Sequence, residues 1–278
     1  MVVKTGENML FDSHCHLNDN LLFSQVEEVI AEAKNNEVGI MICVGYGPEA
    51  NRRALELAHR YSFVYAAIGF HPEIASQISD ADWQQLRTNL SDPRVVAIGE
   101  CGLDYYWDKT YRLEQIDVFK RQITLAKEFK LPLIIHMREA TEDTFTILQE
   151  NKPLDLPGVM HCYSGSVESM FRFIDLNMNI SLAGPVTFKN AKVPKDVAKA
   201  IPDARLMIET DSPYLSPMPY RGKTNEPKHL KYICNEIALL RNMTYEQVEK
   251  ITAYNATRLF NINLLSINGK NDNAEADE

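Results

Sequence analysis

Six side chains with metal-binding chemistry stand at the ends of short apolar runs in this chain. His14 and His16 follow Met9–Phe11, Glu100 follows Val95–Gly99, His136 follows Leu133–Ile135, His161 follows Val159–Met160, and Asp211 follows Leu206–Ile208. Imidazole nitrogens and carboxylate oxygens suit zinc, manganese or magnesium, and no Cys-x-x-Cys pair offers a thiolate zinc site. Where such a run reads as a strand, its last residues lie at one rim of a sheet. Six of these groups together predict a metal centre at that rim. Alternation along a strand turns Asp12, His14 and His16 to one side and Ser13 and Cys15 to the other. Asp12 is then expected to orient the two histidines from behind.

Singly, each residue has an ordinary reading. Glu100 suits a loop hydrogen bond, Asp211 a turn ahead of Pro213, and His136 and His161 packed imidazoles. Together the set favours the metal reading. Glu100 has two oxygens with which to bridge two ions, and its flanking glycines let backbone approach closely. Asp211 is placed both to bind an ion and to accept a proton. Glu209 shares its parity and reads as support. His71, in Gly69-Phe70-His71-Pro72, is expected to reach substrate across the rim, while His59 and His229 read as surface residues. Cys15 and Cys162 read as packing.

Strand-like runs cover 9–12, 39–44, 64–68, 95–99, 133–136, 159–161, 179–182 and 206–209. Helical patterns fall between them at 25–35, 48–60, 81–90, 113–129, 141–149, 167–175 and 195–200, with two more at 228–240 and 244–260. In 113–129 the residues Leu113, Ile116, Phe119, Ile123 and Ala126 recur every three or four positions, the spacing of a buried helix face. Eight strands alternating with helices predict an α/β protein with a parallel sheet closed into a single (β/α)8 TIM barrel, its metal site at the C-terminal ends of the strands. An open doubly wound sheet is the alternative. It would gather ligands at one switch point, whereas strands one, four, five, six and eight contribute here. No repeat or linker divides the chain, so residues 9–262 read as one domain, flanked by flexible tails at 1–8 and 263–278.

The 278 residues, 45% of them hydrophobic, suffice for a barrel core, and the net charge of −9 excludes a broadly basic surface. Cations in a cleft can still reverse the field locally, so a nucleic-acid enzyme is not excluded. Five scattered cysteines predict reduced thiols. No apolar stretch approaches the roughly 20 residues of a membrane helix. The expectation is a cytoplasmic protein without a membrane span, with a monomer favoured.

The motif series resembles the TatD family of metal-dependent deoxyribonucleases, among the amidohydrolase-type metal barrels. The matching stretches include Asp12-Ser13-His14-Cys15-His16, Gly69-Phe70-His71-Pro72, Gly99-Glu100-Cys101-Gly102-Leu103-Asp104-Tyr105, Ile135-His136-Met137-Arg138, His161-Cys162-Tyr163-Ser164-Gly165, Glu209-Thr210-Asp211-Ser212-Pro213-Tyr214 and Arg221-Gly222-Lys223-Thr224-Asn225-Glu226-Pro227. They run in order through nearly the whole chain. The resemblance implies a two-ion site, with His14, His16, Glu100 and Asp211 on one ion and Glu100, His136 and His161 on the other. One departure stands out: Glu139 follows Arg138 where the family often has Asp, which leaves any role for residue 139 open. A carboxylated lysine bridges the ions in many members of the wider superfamily, and Glu100 at that position favours the TatD branch.

The implied activity is hydrolysis of DNA phosphodiester bonds by metal-activated water, as an exonuclease on single-stranded ends, with Asp211 taking the proton. Arg138, Arg221 and Lys223 are candidate phosphate contacts, and Tyr105, Tyr106 and Trp107 candidate base-stacking residues. Two other readings stand beside it. The same chemistry attacks carbonyl carbon, so an ester, amide or lactone hydrolase fits, aminoacyl-tRNA esters included. A non-catalytic metal-binding scaffold is the third, disfavoured by retention of Asp211 and the full ligand set.

Overall fold

Each apolar run forms a strand in the computed structural model, which describes residues 9–107, 109–151 and 157–263. The first half of the barrel comprises β1 (Leu10–Cys15), α1 (Asn20–Phe23), α2 (Val26–Asn35), β2 (Val38–Val44), α3 (Pro48–Arg60), β3 (Val64–Ile68), α4 (Asp80–Asn89) and β4 (Val95–Asp104). Then come α5 (Arg112–Phe129), β5 (Leu133–Arg138), α6 (Thr141–Glu150), β6 (Gly158–Met160), α7 (Val167–Asp175), β7 (Met178–Leu182), α8 (Lys192–Ala200) and β8 (Leu206–Ile208). Helices α9 (Leu230–Arg241) and α10 (Tyr245–Leu259) follow. The strands pair in sequence order, all in parallel, as the alternating pattern predicts. Among the described residues no helix is long and apolar enough to cross a membrane. The tail segments 1–8 and 264–278, with the acidic stretch 271–278, lie outside the described residues.

Two apolar clusters show that the sheet curls on itself. One face of the strands, with Met41, Cys43, Val64, Ala66 and Ile68, packs against the helices. The alternate positions Ile40, Ile42, Val44, Tyr65 and Ala67 gather instead with Phe11, Ile134, Val159 and Met207, together with Leu259 and Phe260. Phe11 and Phe260 stack at 6.1 Å. The first and last strands meet at their C-terminal ends, where Asp211 N–H donates to the His14 carbonyl at 2.9 Å and His16 N–H to that of Ser212 at 2.7 Å. The seam of this (β/α)8 barrel therefore closes through candidate metal-site residues.

Three differences from the sequence reading matter for the site. β4 runs on to Asp104 and β5 to Arg138, because the backbone keeps pairing past Gly99 and Gly102, residues that weaken a strand pattern. Glu100 therefore sits inside a strand rather than beyond it. The buried face of α5 is rotated: Leu113 is 74% exposed, whereas Gln115, Val118, Phe119, Gln122, Ile123 and Ala126 are buried. Two glutamines lie on that face because each has backbone to bond. The short helix α1, started by the Asp19 carboxylate accepting from Leu21 N–H at 2.8 Å, carries too few residues to show a periodic pattern.

Candidate metal centre

Side-chain amides fasten the strand ends that carry the site. Asn51 of α3 exchanges two hydrogen bonds with Gly69, its Nδ2 donating at 2.9 Å and its Oδ1 accepting at 3.1 Å. Gln122 of α5 does the same for Phe70, at 3.0 and 2.8 Å, just before His71. One helical stretch earlier on the same helix, Gln115 accepts from Asp104 N–H and donates to its carbonyl, each at 3.0 Å. A buried backbone group without a partner costs about 1–3 kcal/mol, so these pairs set the path of the loops rather than decorate it.

The fixed strand ends bring four of the other five predicted ligands around the carboxylate of Glu100 and set the fifth, Asp211, beside two of them. His161 Nε2 lies 2.8 Å from Oε1 and His136 Nδ1 lies 2.9 Å from it, while His14 Nε2 and His16 Nε2 each lie 3.5 Å from Oε2. Asp211 Oδ1 is 3.6 Å from His14 Nε2 and 3.5 Å from His16 Nε2. Among the described residues three groups of side-chain atoms lie close enough to hold a cation: His14, His16 and Asp211; His14, Glu100 and His161; and His71, Glu100 and His136.

Second partners decide which nitrogens carry protons. The Val44 carbonyl can only accept, so His16 donates to it from Nδ1 at 2.8 Å and turns a lone pair inward from Nε2. His161 donates from Nδ1 to Glu209 Oε1 at 3.1 Å, and His136 from Nε2 to Asp104 Oδ2 at 2.8 Å. Each inner nitrogen thus faces a buried carboxylate and is joined to it by positive charge set between them, a proton or a metal ion. Such a set is satisfied by cations placed between its members, and the donor chemistry fits divalent metal. His71 differs. Its Nδ1 accepts from Glu73 N–H at 3.2 Å, which leaves its proton on Nε2, 3.5 Å from Glu100 Oε1. It enters the centre as a donor, not a ligand.

The charges show the pull of the site on positive charge. Burial works against ionising Glu100, but His161, His71, His136 and His14 outweigh it and hold the carboxyl well below the usual range. Asp211 is likewise lowered, against burial, by His16, His14 and His161. Burial also opposes charge on His161, His136 and His16, yet the facing carboxylates push all three upward. His14, wholly enclosed and stacked 4.0 Å from His161, is lowered, and its buried Nδ1 has no hydrogen-bond partner.

Some expectations are corrected. Asp12 does not touch the histidine rings: it accepts from Thr210 N–H at 2.9 Å and Thr210 Oγ1 at 2.6 Å, reaching His14 only through its backbone N–H at 3.4 Å. Burial pushes its carboxyl up to about 7. Tyr105 is buried, its hydroxyl donating to Asp143 Oδ2 at 2.6 Å, so only Tyr106 and Trp107 are exposed. His229 is buried rather than on the surface. Cys15 turns away as alternation requires, its thiol directed at the Ile42 carbonyl.

Above the cluster opens a cavity of about 640 Å³, walled by His16, Tyr46, His71, Glu73, Trp107, Arg138, Cys162, Asp211 and Tyr214, with Leu182, Ala183, Pro185 and Val186 along one apolar side. Arg138 lies over Tyr106, its guanidinium carbon 3.8 Å from the ring centre and 5.2 Å from that of Trp107. Arg221 is exposed and sits over Phe188 at 4.4 Å, outside the cavity wall, and Lys223 is exposed over Tyr220. Asp104 carries no ligand signal of its own in the sequence beyond a four-residue spacing from Glu100 that gives it the same strand parity. It joins the two halves of the site: Oδ2 holds His136, and Oδ1 accepts from Tyr106 N–H at 2.9 Å and Trp107 N–H at 3.3 Å.

Gly102 permits that junction. Its φ is +132°, and a Cβ there would lie 2.0 Å from the His136 carbonyl oxygen. Gly102→Ala is expected to cost at least about 1–3 kcal/mol and to displace His136. Thermal denaturation should show a lowered Tm, and a Tm equal to that of the unaltered protein would mean that β4 and β5 separate freely here.

The geometry has counterparts among known proteins. A family model described as TatD related DNase matches residues 11–261. The chain is 49% identical over 255 residues to the uncharacterised metal-dependent hydrolase YabD of Bacillus subtilis, covering 92% of this chain and 100% of that one. It is 36% identical to the uncharacterised metal-dependent hydrolase YcfH of Escherichia coli K12, over 91% of this chain and 96% of that one. The crystal structure of YjjV, a TatD homologue from Escherichia coli K12, superposes with a TM-score of 0.87 at 30% identity, over 91% of this chain and 98% of that one. Matched from the first strand to the end of α10, the chain belongs to the TatD-related DNase family.

Proposed function

We propose that this protein is a divalent-metal-dependent hydrolase that cleaves phosphodiester bonds of DNA, as an exonuclease on single-stranded ends. The convergence of three imidazole nitrogens on the Glu100 carboxylate, each ring fixed from behind by Val44, Asp104 or Glu209, carries the metal-dependent part. In this reading His14, His16, Glu100 and Asp211 hold one ion, and Glu100, His136 and His161 the other. Zinc, manganese and magnesium all suit these donors. When bound, such a pair of ions supplies a nucleophile at neutral pH and neutralises charge at the attacked centre.

The chain's own residues do the rest. Asp211, ionised and lining the cavity, accepts the proton of the attacking water. His71, with its proton on Nε2, donates to a substrate oxygen beside Glu100. Arg138 contacts the phosphate and is held in place by the ring of Tyr106. Tyr106 and Trp107 offer an exposed face on which a terminal base stacks. A cavity with one cationic side chain fits one phosphodiester at a time, so affinity should depend only modestly on salt. The name of the family supports DNA as substrate. The apolar wall at Leu182–Val186 favours a second reading, hydrolysis of a small ester or lactone by the same centre.

One preparation, loaded with metal, tests both. Labelled single-stranded DNA should release nucleotides, a chelator should stop the release, and Arg138→Ala should lower kcat/KM about 10–100-fold, the worth of one charge-assisted contact. Efficient turnover of aminoacyl esters or lactones with the DNA left intact would reject the nuclease reading in favour of the second.

A further inference from the structure

The loop that carries Asp211 is held in an uncommon shape by a residue outside the ligand set. Asp211 has φ +55°, a left-handed conformation that non-glycine residues adopt only where the surroundings impose it. Asn225 bridges the loop on both sides of it, Nδ2 donating to the Thr210 carbonyl at 2.8 Å and to that of Tyr214 at 2.7 Å. Its own N–H donates to the Pro213 carbonyl at 3.0 Å. With both amide protons committed to carbonyls, Asn225 Oδ1 accepts: from Glu226 N–H at 3.0 Å, and from His229 Nδ1, also 3.0 Å away, which then carries its proton and does not accept from the Glu226 N–H 3.3 Å off. His229 in turn stacks on Tyr220, ring centres 4.3 Å apart. Both Asn225 and His229 are buried.

We propose that Asn225 is a positioning residue for the metal centre: it sets the Asp211 carboxylate against His14 and His16, and His229 sets the Asn225 amide. This rests on Asp211 being an ion-holding group, as read above. Among the described residues no other side chain bonds both carbonyls, so removing the amide loosens the loop toward a commoner conformation. Asp211 then loses its fixed distance from the two imidazoles while Glu100, His136 and His161 keep theirs.

The test is titration of zinc into the metal-free full chain, followed by calorimetry with a competing chelator where binding is tight. Asn225→Ala should weaken one binding step about 10–100-fold, the usual effect of losing an outer partner of a ligand, and leave the other step unchanged. Asp211→Asn should weaken the same step. The double variant should lose no more than Asp211→Asn alone, since Asn225 acts through Asp211. A merely structural Asn225 would lower Tm and leave both affinities alone. Should Asn225→Ala not fold, His229→Phe keeps the stack on Tyr220, loses the Nδ1 donor, and should give a smaller loss in the same step. Zinc affinities within twofold of the unaltered protein, or losses that add in the double variant, would overturn the proposal. If the unaltered chain takes up one ion only, the two-ion reading fails, while the coupling between Asn225 and Asp211 is still read from that single affinity.

Discussion

Asp211→Asn is expected to abolish nearly all hydrolysis, by roughly 10²–10⁴-fold in kcat, while the barrel stays folded. The substitution keeps the shape of the side chain and its place 3.5–3.6 Å from two imidazoles, but an amide accepts no proton at neutral pH. Asp211 combines ionisation, contact with both β1 histidines and a place in the cavity wall; Glu100 shares these, but its other oxygen is engaged by His136 and His161. Glu209 cannot substitute readily. It is fully buried, and its Oε1 is engaged by His161 Nδ1 and by Cys162 N–H at 2.8 Å. Steady-state kinetics with circular dichroism as a control for folding would check this. Near-normal turnover in a folded Asp211→Asn protein would assign the proton to another group.

Glu100→Gln is expected to do more, because it strikes both halves of the centre. The unaltered protein should bind about two divalent ions per chain, as a carboxylate shared between two sets of imidazoles implies. The carboxylate lies within 2.8–3.5 Å of nitrogens of His14, His16, His136 and His161, so it supplies the anionic charge common to both groups. A neutral amide would keep the contacts and lose the charge. Affinity at both steps should fall by more than the roughly 10–100-fold that loss of an outer partner costs, and hydrolysis should disappear with it. Metal analysis after dialysis against a defined free zinc concentration reads this directly. Retention of two ions per chain in Glu100→Gln would show that the carboxylate does not bridge them.

Much of the arrangement was legible because a barrel converts chain order into position. Each apolar run became a strand in sequence order, and whatever followed it came to the same rim. His14, His16, Glu100, His136, His161 and Asp211 needed no more than that rule to be read together. The parts that were missed follow no such rule. Gln115, Gln122, Asn51 and Asn225 look like ordinary polar residues of helices and loops, and their amides matter only for the backbone groups they meet across the fold. His229, read as a surface residue, is buried because Asn225 and Tyr220 enclose it.

The sequence by itself therefore determined the set of ligand types, their strand ends and the closed parallel barrel, since alternation and period act locally along the chain. Only the tertiary structure decided which nitrogen of each imidazole faces inward, through Val44, Asp104 and Glu209, and which cation stands in the cavity, Arg138 rather than Arg221. Those choices belong to hydrogen bonds and ring contacts between residues far apart in sequence. No local pattern encodes such pairs, because the partner exists only once the barrel has closed.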